Sequence, residues 1–169
     1  GYIKDSIEQL SKGEVDLVAV NLPYEYDESN IQIIECGKIE DCFYASKEYC
    51  KKIKNQKHAQ ELLKTELIAP SEKSTTGKIL QQFCQQNHIE YEPKFIMTST
   101  NARKYFTMKG LGIGFGIKEN VKEELEKGEL LEIKISNKPL IRSFGIAVQK
   151  QELLNNATLK LIDMIKNKL

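Results

Sequence analysis

The stretch Thr98-Ser99-Thr100-Asn101-Ala102-Arg103-Lys104-Tyr105-Phe106-Thr107-Met108-Lys109-Gly110-Leu111-Gly112-Ile113-Gly114-Phe115-Gly116-Ile117 holds the fold in miniature. A cluster of hydroxyls opens it, and hydroxyl side chains accept hydrogen bonds from the free N–H groups of a helix start. A helix over 101–109 follows, and Gly110 stops it. Ile113 to Ile117 then reads as a strand. Four of the ten glycines fall within seven residues here, so backbone can approach a neighbour or a ligand closely. A dinucleotide fingerprint is excluded: G-x-G-x-x-G would need glycine where Phe115 stands, and its glycines should lie between a strand and its helix. From these residues alone, Thr98, Ser99 and Thr100 are either plain caps or donors aimed at a polar or anionic ligand. Ser71 to Thr76 leaves the same two readings open.

The same alternation continues outward. Ile3, Ile7 and Leu10 share one face of a first short helix, which Gly13 ends. Val15 to Val20 is a buried strand broken by Asn21-Leu22-Pro23. Ile31 to Glu35 and Ile39 to Ala45 read as two strands with a bend at Gly37. Ser46 caps a helix over 47–54, and a second helix fits 58–65. Leu67-Ile68-Ala69 is a strand stopped by Pro70. Ile79, Leu80, Phe83 and Cys84 mark a helical face. Strands over 94–97, 130–135 and 141–148, a helix over 118–127 and a long closing amphipathic helix complete the chain. Strands alternating with helices give an α/β class with a largely parallel sheet.

Composition narrows the function. With 169 residues, 40% hydrophobic and 29% charged, the chain is an ordinary globular one, of one domain or two lobes. Its longest apolar runs, such as Leu17 to Val20, are far too short to cross a bilayer, and no secretory signal opens it. Lys+Arg is 25 against Asp+Glu 24, a balance ill suited to wrapping nucleic acid. Only Arg103 and Arg142 are arginines, so rigid two-pronged anion recognition has few owners. Cys36, Cys42, Cys50 and Cys84 form no C-x-x-C pair and read as reduced cytoplasmic thiols, with no metal or cofactor called for. His58 and His88 lie in polar surroundings, Glu123-Glu124 sits on a solvated helix face, and no nucleophile–base signature appears.

Three stretches in order carry a resemblance. Residues 7–19, Ile-Glu-Gln-Leu-Ser-Lys-Gly-Glu-Val-Asp-Leu-Val-Ala, resemble the "L-x-x-G-E-x-D-L-A-I" segment of LysR-type transcriptional regulators. Residues 98–117 resemble that family's polar cap, helix, "G-L-G-I" and strand. Residues 119–131 resemble its "v-x-x-x-L-x-x-G-x-L" segment. The resemblance implies an effector-binding domain: an α/β, two-lobed fold like that of type 2 periplasmic binding proteins, with mostly parallel sheets flanked by helices. It implies lobe one at 1–44 with 145–169 and lobe two at 45–144, joined by crossovers near 42–46 and 143–148. Against the family pattern, the winged helix-turn-helix is absent and the first lobe is truncated, leaving an exposed sheet edge as a pairing liability.

The resemblance further implies a small-molecule effector held between the lobes. Carried over by position, its contacts are Asn21, Pro23, Ser46, Thr98, Ser99, Thr100, Gly114, Phe115, Gly116 and Ile117, the last standing where the family often has Pro. It favours ligand contact over plain capping at 98–100. DNA is reached only through the absent N-terminal part, and the whole regulator is expected to be a cytoplasmic homodimer or homotetramer with no membrane partner. The scarcity of arginine points to a neutral or singly charged effector, with Arg103 still able to serve. A transporter's solute-binding protein is the alternative. An enzyme on the same fold would need an acid/base group such as His88 or Glu90 in the cleft.

Overall fold

A computed structural model describes residues 3–23, 30–150 and 156–166. The chain divides into two compact units, Gly1–Ile39 with Arg142–Leu169, and Glu40–Ile141. The sequence reading put the divisions after residues 44 and 144.

The first unit contains α1 (Ile3–Ser11), β1 (Val18–Asn21), the start of β2 (Ile31–Ser46), the end of β7 (Leu140–Gln149) and α7 (Asn156–Lys166). β1 runs antiparallel to β7, with Val18 opposite Ala147 and Asn21 opposite Phe144. Alternation along β7 sends side chains to two faces. Ala147 joins Leu10, Val20 and Ile31, against which Ile3 and Ile7 of α1 pack. Ile146 and Val148 turn the other way and meet Ile162 of α7. The expected final helix is present over Asn156–Lys166, and its expected flanks at 154–155 and 167–169 lie outside the described residues.

The second unit holds the end of β2, α2 (Lys47–Cys50), α3 (Gln56–Glu66), β3 (Leu67–Ala69), α4 (Thr75–Gln86), β4 (Phe95–Ile96), α5 (Thr100–Met108), β5 (Ile113–Ile117), a 3-10 turn (Lys118–Val121), α6 (Lys122–Glu126) and β6 (Leu130–Ile133). β2 lies between β5 and β6, and β3 lies between β5 and β4. One face of this sheet carries Phe43, Ala45, Ile113 and Phe115, packed on Ala59 and Leu63 of α3 and on Leu80, Phe83 and Cys84 of α4. The Phe43 ring lies 4.7 Å from that of Phe115 and 5.2 Å from that of Phe83, in tilted pairs. The opposite face carries Cys42 and Tyr44, covered by Met108 of α5, Val121, and Leu125 of α6. Gly110 ends α5 at φ +75°, a backbone state that favours glycine, and its N–H donates to Thr107 O at 2.9 Å.

Two expectations need correction. The sheets are not mostly parallel: β1 with β7, β2 with β5 and β2 with β6 are antiparallel, while β3 with β4 and β3 with β5 are parallel. The parallel pairs are those whose strands are joined by helical crossovers through α4 and α5, and β2 meets both of its neighbours in this unit head to tail. Gly37 does not separate two strands. β2 is one strand of 16 residues, running without a break from Ile31 to Ser46.

Candidate functional site

α5 begins where the hydroxyl cluster was expected to place it. Ser99 is its cap, with Oγ accepting the Ala102 N–H at 3.2 Å. Thr98 and Ser99 are exposed and Thr100 is half-buried. Capping is therefore real, but it occupies Ser99 alone. The Thr100 hydroxyl is turned to a different partner.

That partner is Arg103, one turn further along and only 4% exposed. Its Nη1 donates to Met97 O at 2.8 Å, at the end of β4, and its Nη2 meets Thr100 Oγ1 at 3.4 Å. The guanidinium also lies close to β5. A Cβ placed on Gly116 would stand 3.4 Å from Nη2 and 3.9 Å from the Tyr44 hydroxyl, so the missing side chain makes the room. One turn on, Thr107 Oγ1 donates back to Arg103 O at 2.9 Å and lies against Gly114. Arg103 thus ties the start of α5 to the end of β5, which brings Thr100 and Gly116 into one cluster.

Electrostatics of the cluster follow from burial. Tyr44 is 1% exposed, and burial pushes its hydroxyl up from the ordinary phenol range, with the Arg103 charge pulling partly against it. Neither the Tyr44 hydroxyl nor Arg103 Nε makes a hydrogen bond of good geometry. On α6, Glu124 is held by Lys104 at 2.7 Å, which keeps its carboxyl below the usual range.

The other expected contacts divide. Gly114 and Gly116 are buried along β5 and Ile117 is half-buried at its end. Phe115 turns its ring into the core, so only its backbone is available there. Ser46 is not with the cluster. Its Oγ accepts the Tyr49 N–H at 3.2 Å as the cap of α2 and lies near Gly110, at the far end of α5 from Thr100. Cys42 is the β2 residue opposite Gly116, and four more residues of extended chain separate it from Ser46, roughly 13 Å. Asn21 and Pro23 belong to the first unit. Asn21 closes β1 opposite Phe144, and Pro23 follows a cis bond from Leu22 and is exposed.

Sequence reasoning kept Arg103 as able to serve an effector but did not place it beside Thr100 and Gly116. Its signal was present: Arg103 and Thr107 stand one turn apart, and they are the buried residues of α5.

Groups for other chemistries do not gather. His88 is exposed after α4, and His58 Nδ1 accepts the Lys54 N–H at 3.2 Å. Glu90 is exposed and reaches only Lys64, at 3.9 Å. The cysteines are free thiols, and burial raises Cys42 to about 12 and Cys84 to about 11, so both are protonated and unreactive at neutral pH. A cavity of about 300 Å³ beside residues 132–140 is lined by Phe43, Phe83, Ile133 and Ile135, and none of the expected contacts borders it.

The chain thus forms two α/β units, the second carrying a polar helix start beside a glycine-rich strand. The family model of the LysR substrate binding domain matches residues 3–169, so the chain belongs to that family. Its relatives are effector-binding regulatory domains of transcription factors. The reduced regulatory domain of OxyR2 from Vibrio vulnificus is similar at 17% identity and TM-score 0.83, covering 100% of this chain and 79% of that one. The regulatory domain of CcmR from Synechocystis, in complex with 2-PG, is similar at 18% identity and TM-score 0.80, covering 99% and 79%. The bromide-bound regulatory domain of HypT from Salmonella typhimurium is similar at 11% identity and TM-score 0.78, covering 100% and 81%. No curated protein matches. Neither the family nor these three structures supports the transporter alternative. Among the described residues no helix is long and apolar enough to cross a membrane.

Proposed function

We propose that this chain senses a small polar or anionic metabolite at the start of α5 and the end of β5, using Thr98, Ser99, Thr100, Gly114, Gly116, Ile117 and the backbone of Phe115. Asn21 and Pro23 are the expected contacts of the first unit. The observation that carries the reading is the junction at Arg103, where Thr100 and Gly116 meet the same guanidinium. Free N–H groups and hydroxyls at a helix start favour a negative or polar group, each charge–dipole contact contributing about 0.3–1 kcal/mol. Such a ligand acts only through different affinities for two arrangements of the regulator, and a shift from 1:99 to 99:1 takes roughly 5.5 kcal/mol, so several contacts must act together. The reading extends to a cytoplasmic regulator, homodimeric or homotetrameric, that responds through a DNA-binding part.

Thr100→Val in the full-length regulator tests it. The change keeps shape and removes the hydroxyl. The effector concentration for half-maximal promoter response should rise about tenfold, the weight of one hydrogen bond. The melting temperature should stay within about 3 °C, because Thr100 is half-buried and its bond to Arg103 is long. An unchanged response would remove the start of α5 from the site.

A further inference from the structure

The near-neutral balance of the chain conceals a local excess. Residues 47–57 carry five lysines against one glutamate, while the whole chain has a net charge of +1. Tyr49 is buried and Cys50 and Ile53 are half-buried, all three packed on the core of the second unit. Backbone bonds from Lys52 N–H to Tyr49 O and from Ile53 N–H to Cys50 O, both 3.0 Å, carry the turn of α2 onward. Lys47, Lys51, Lys52 and Lys54 are left exposed, and Lys57 is exposed in the first turn of α3. Little neutralises them. Among the described residues Lys47, Lys52, Lys54 and Lys57 form no ion pair, and Lys51 meets Glu48 in an exposed contact that is worth little. Lys52 Nζ stands 5.3 Å from the centre of the Tyr49 ring. By contrast Lys94, Lys104, Lys118, Lys122 and Lys127 of the same unit each meet a glutamate at 3.6 Å or closer.

The chemistry of the patch selects its partner. Closely spaced cations with few carboxylates among them suit a polyanion. No large apolar side chain is exposed within residues 47–57, so the patch has no face to enter a bilayer and no ring on which an unpaired base could stack. The phosphate backbone of a duplex asks for neither, only for positive charge. The chain belongs to a family of transcription-factor regulatory domains, so duplex DNA is the polyanion beside which such a domain is tethered. Tethering lets a contact that is weak alone count in the whole regulator.

We propose that Lys47, Lys51, Lys52, Lys54 and Lys57 form a DNA-contacting surface of this domain, which holds the phosphate backbone of a duplex without reading its sequence. It adds to the regulator's DNA-binding part a second contact from α2 and the start of α3. The surface shares no residue with the ligand site at α5 and β5, so either can fail without the other.

The test is fluorescence anisotropy of a labelled random-sequence DNA duplex titrated with the 169-residue protein from roughly 50 to 200 mM sodium chloride. Binding should be saturable, and log K should fall linearly with log salt at a slope of about −3.6 to −4.5, the value for four to five neutralised phosphates. Lys54→Gln should reduce that slope by about 1. Replacing Lys47, Lys52, Lys54 and Lys57 together by Gln should abolish saturable binding, and exposed lysines can be changed in this way without unfolding the chain. Lys122→Gln and Lys127→Gln, which remove lysines already paired with glutamates, should bind as wild type does. A slope shallower than about −1, or a quadruple variant that binds within about twofold of wild type, would overturn the proposal. So would equal affinity for phosphatidylserine vesicles or for polyglutamate, because a surface fitted to a duplex should prefer it by about tenfold or more.

Discussion

Phe115→Ala is expected to destabilise the second unit by about 3–5 kcal/mol while leaving ligand contacts at the start of α5 in place. The ring is fully buried and packs on Phe43 at 4.7 Å. Phe43 in turn meets Phe83 of α4 at 5.2 Å, so the deletion opens the joint between sheet and helix layer. Residues of β2, α3, α4 and β5 all meet at this core. For a chain of 169 residues such a loss lowers the melting point by roughly 8–15 °C, readable by calorimetry. Gly114 and Gly116 point to the other face, toward Tyr44 and Arg103, so ligand affinity measured below the transition should remain. A loss under about 1 kcal/mol would mean the ring does not fill this core.

Gly77→Ala should also destabilise, by about 2–3 kcal/mol, against the direction of helix propensity. Gly77 is buried inside α4, where alanine ordinarily gains about 1 kcal/mol over glycine. A Cβ there would overlap the backbone carbonyl of Ser71, which cannot rotate away. The same turn is held by Ser74, whose Oγ accepts the Gly77 N–H at 3.0 Å and donates to Ser71 O at 2.6 Å. The cap therefore brings the preceding turn so close to α4 that only glycine fits. Urea unfolding reads the result directly, and a stabilised Gly77→Ala protein would show that the turn yields.

This second case also bears on Ser71 to Thr76, which the sequence left between cap and ligand site. Ser74 is the cap of α4 and bonds within the turn. The hydroxyls that look alike on paper differ in what surrounds them: the turn at 71–74 closes on its own helix, whereas Thr100 faces a buried arginine.

Much of the architecture is legible because periodicity and punctuation agree. Ile79, Leu80, Phe83 and Cys84 mark the inner side of α4, with Leu80, Phe83 and Cys84 fully buried. Gly110 closes α5 as a left-handed residue should. The long strand was not legible, because glycine and polar residues in an extended segment are tolerated where a strand is only half-buried. Residues Gln32 to Glu40 of β2 are exposed or intermediate, so no apolar pattern bridges Gly37. Strand direction was misjudged for a related reason: alternation of strands and helices predicts helical crossovers but not which strands they join.

The proposed site rests on signals of unequal clarity. Hydroxyls before a helix and glycines in a strand are local signals. That Ser46 stands apart from Thr100 was not legible, because the distance depends on the register of β2 against β5, which no local motif encodes. The burial of Arg103 was not legible, because an arginine inside a helix ordinarily lies along the surface with its charge in water. Only the closeness of α5 to a glycine strand turns it inward.

The most direct test of the sensor reading is an amide-shift map of the isotope-labelled protein titrated with a panel of small carboxylates and neutral metabolites. The account predicts saturable shifts concentrated at residues 98–104 and 114–117. Saturable shifts confined to the groove of residues 132–140 beside Phe83 would contradict it.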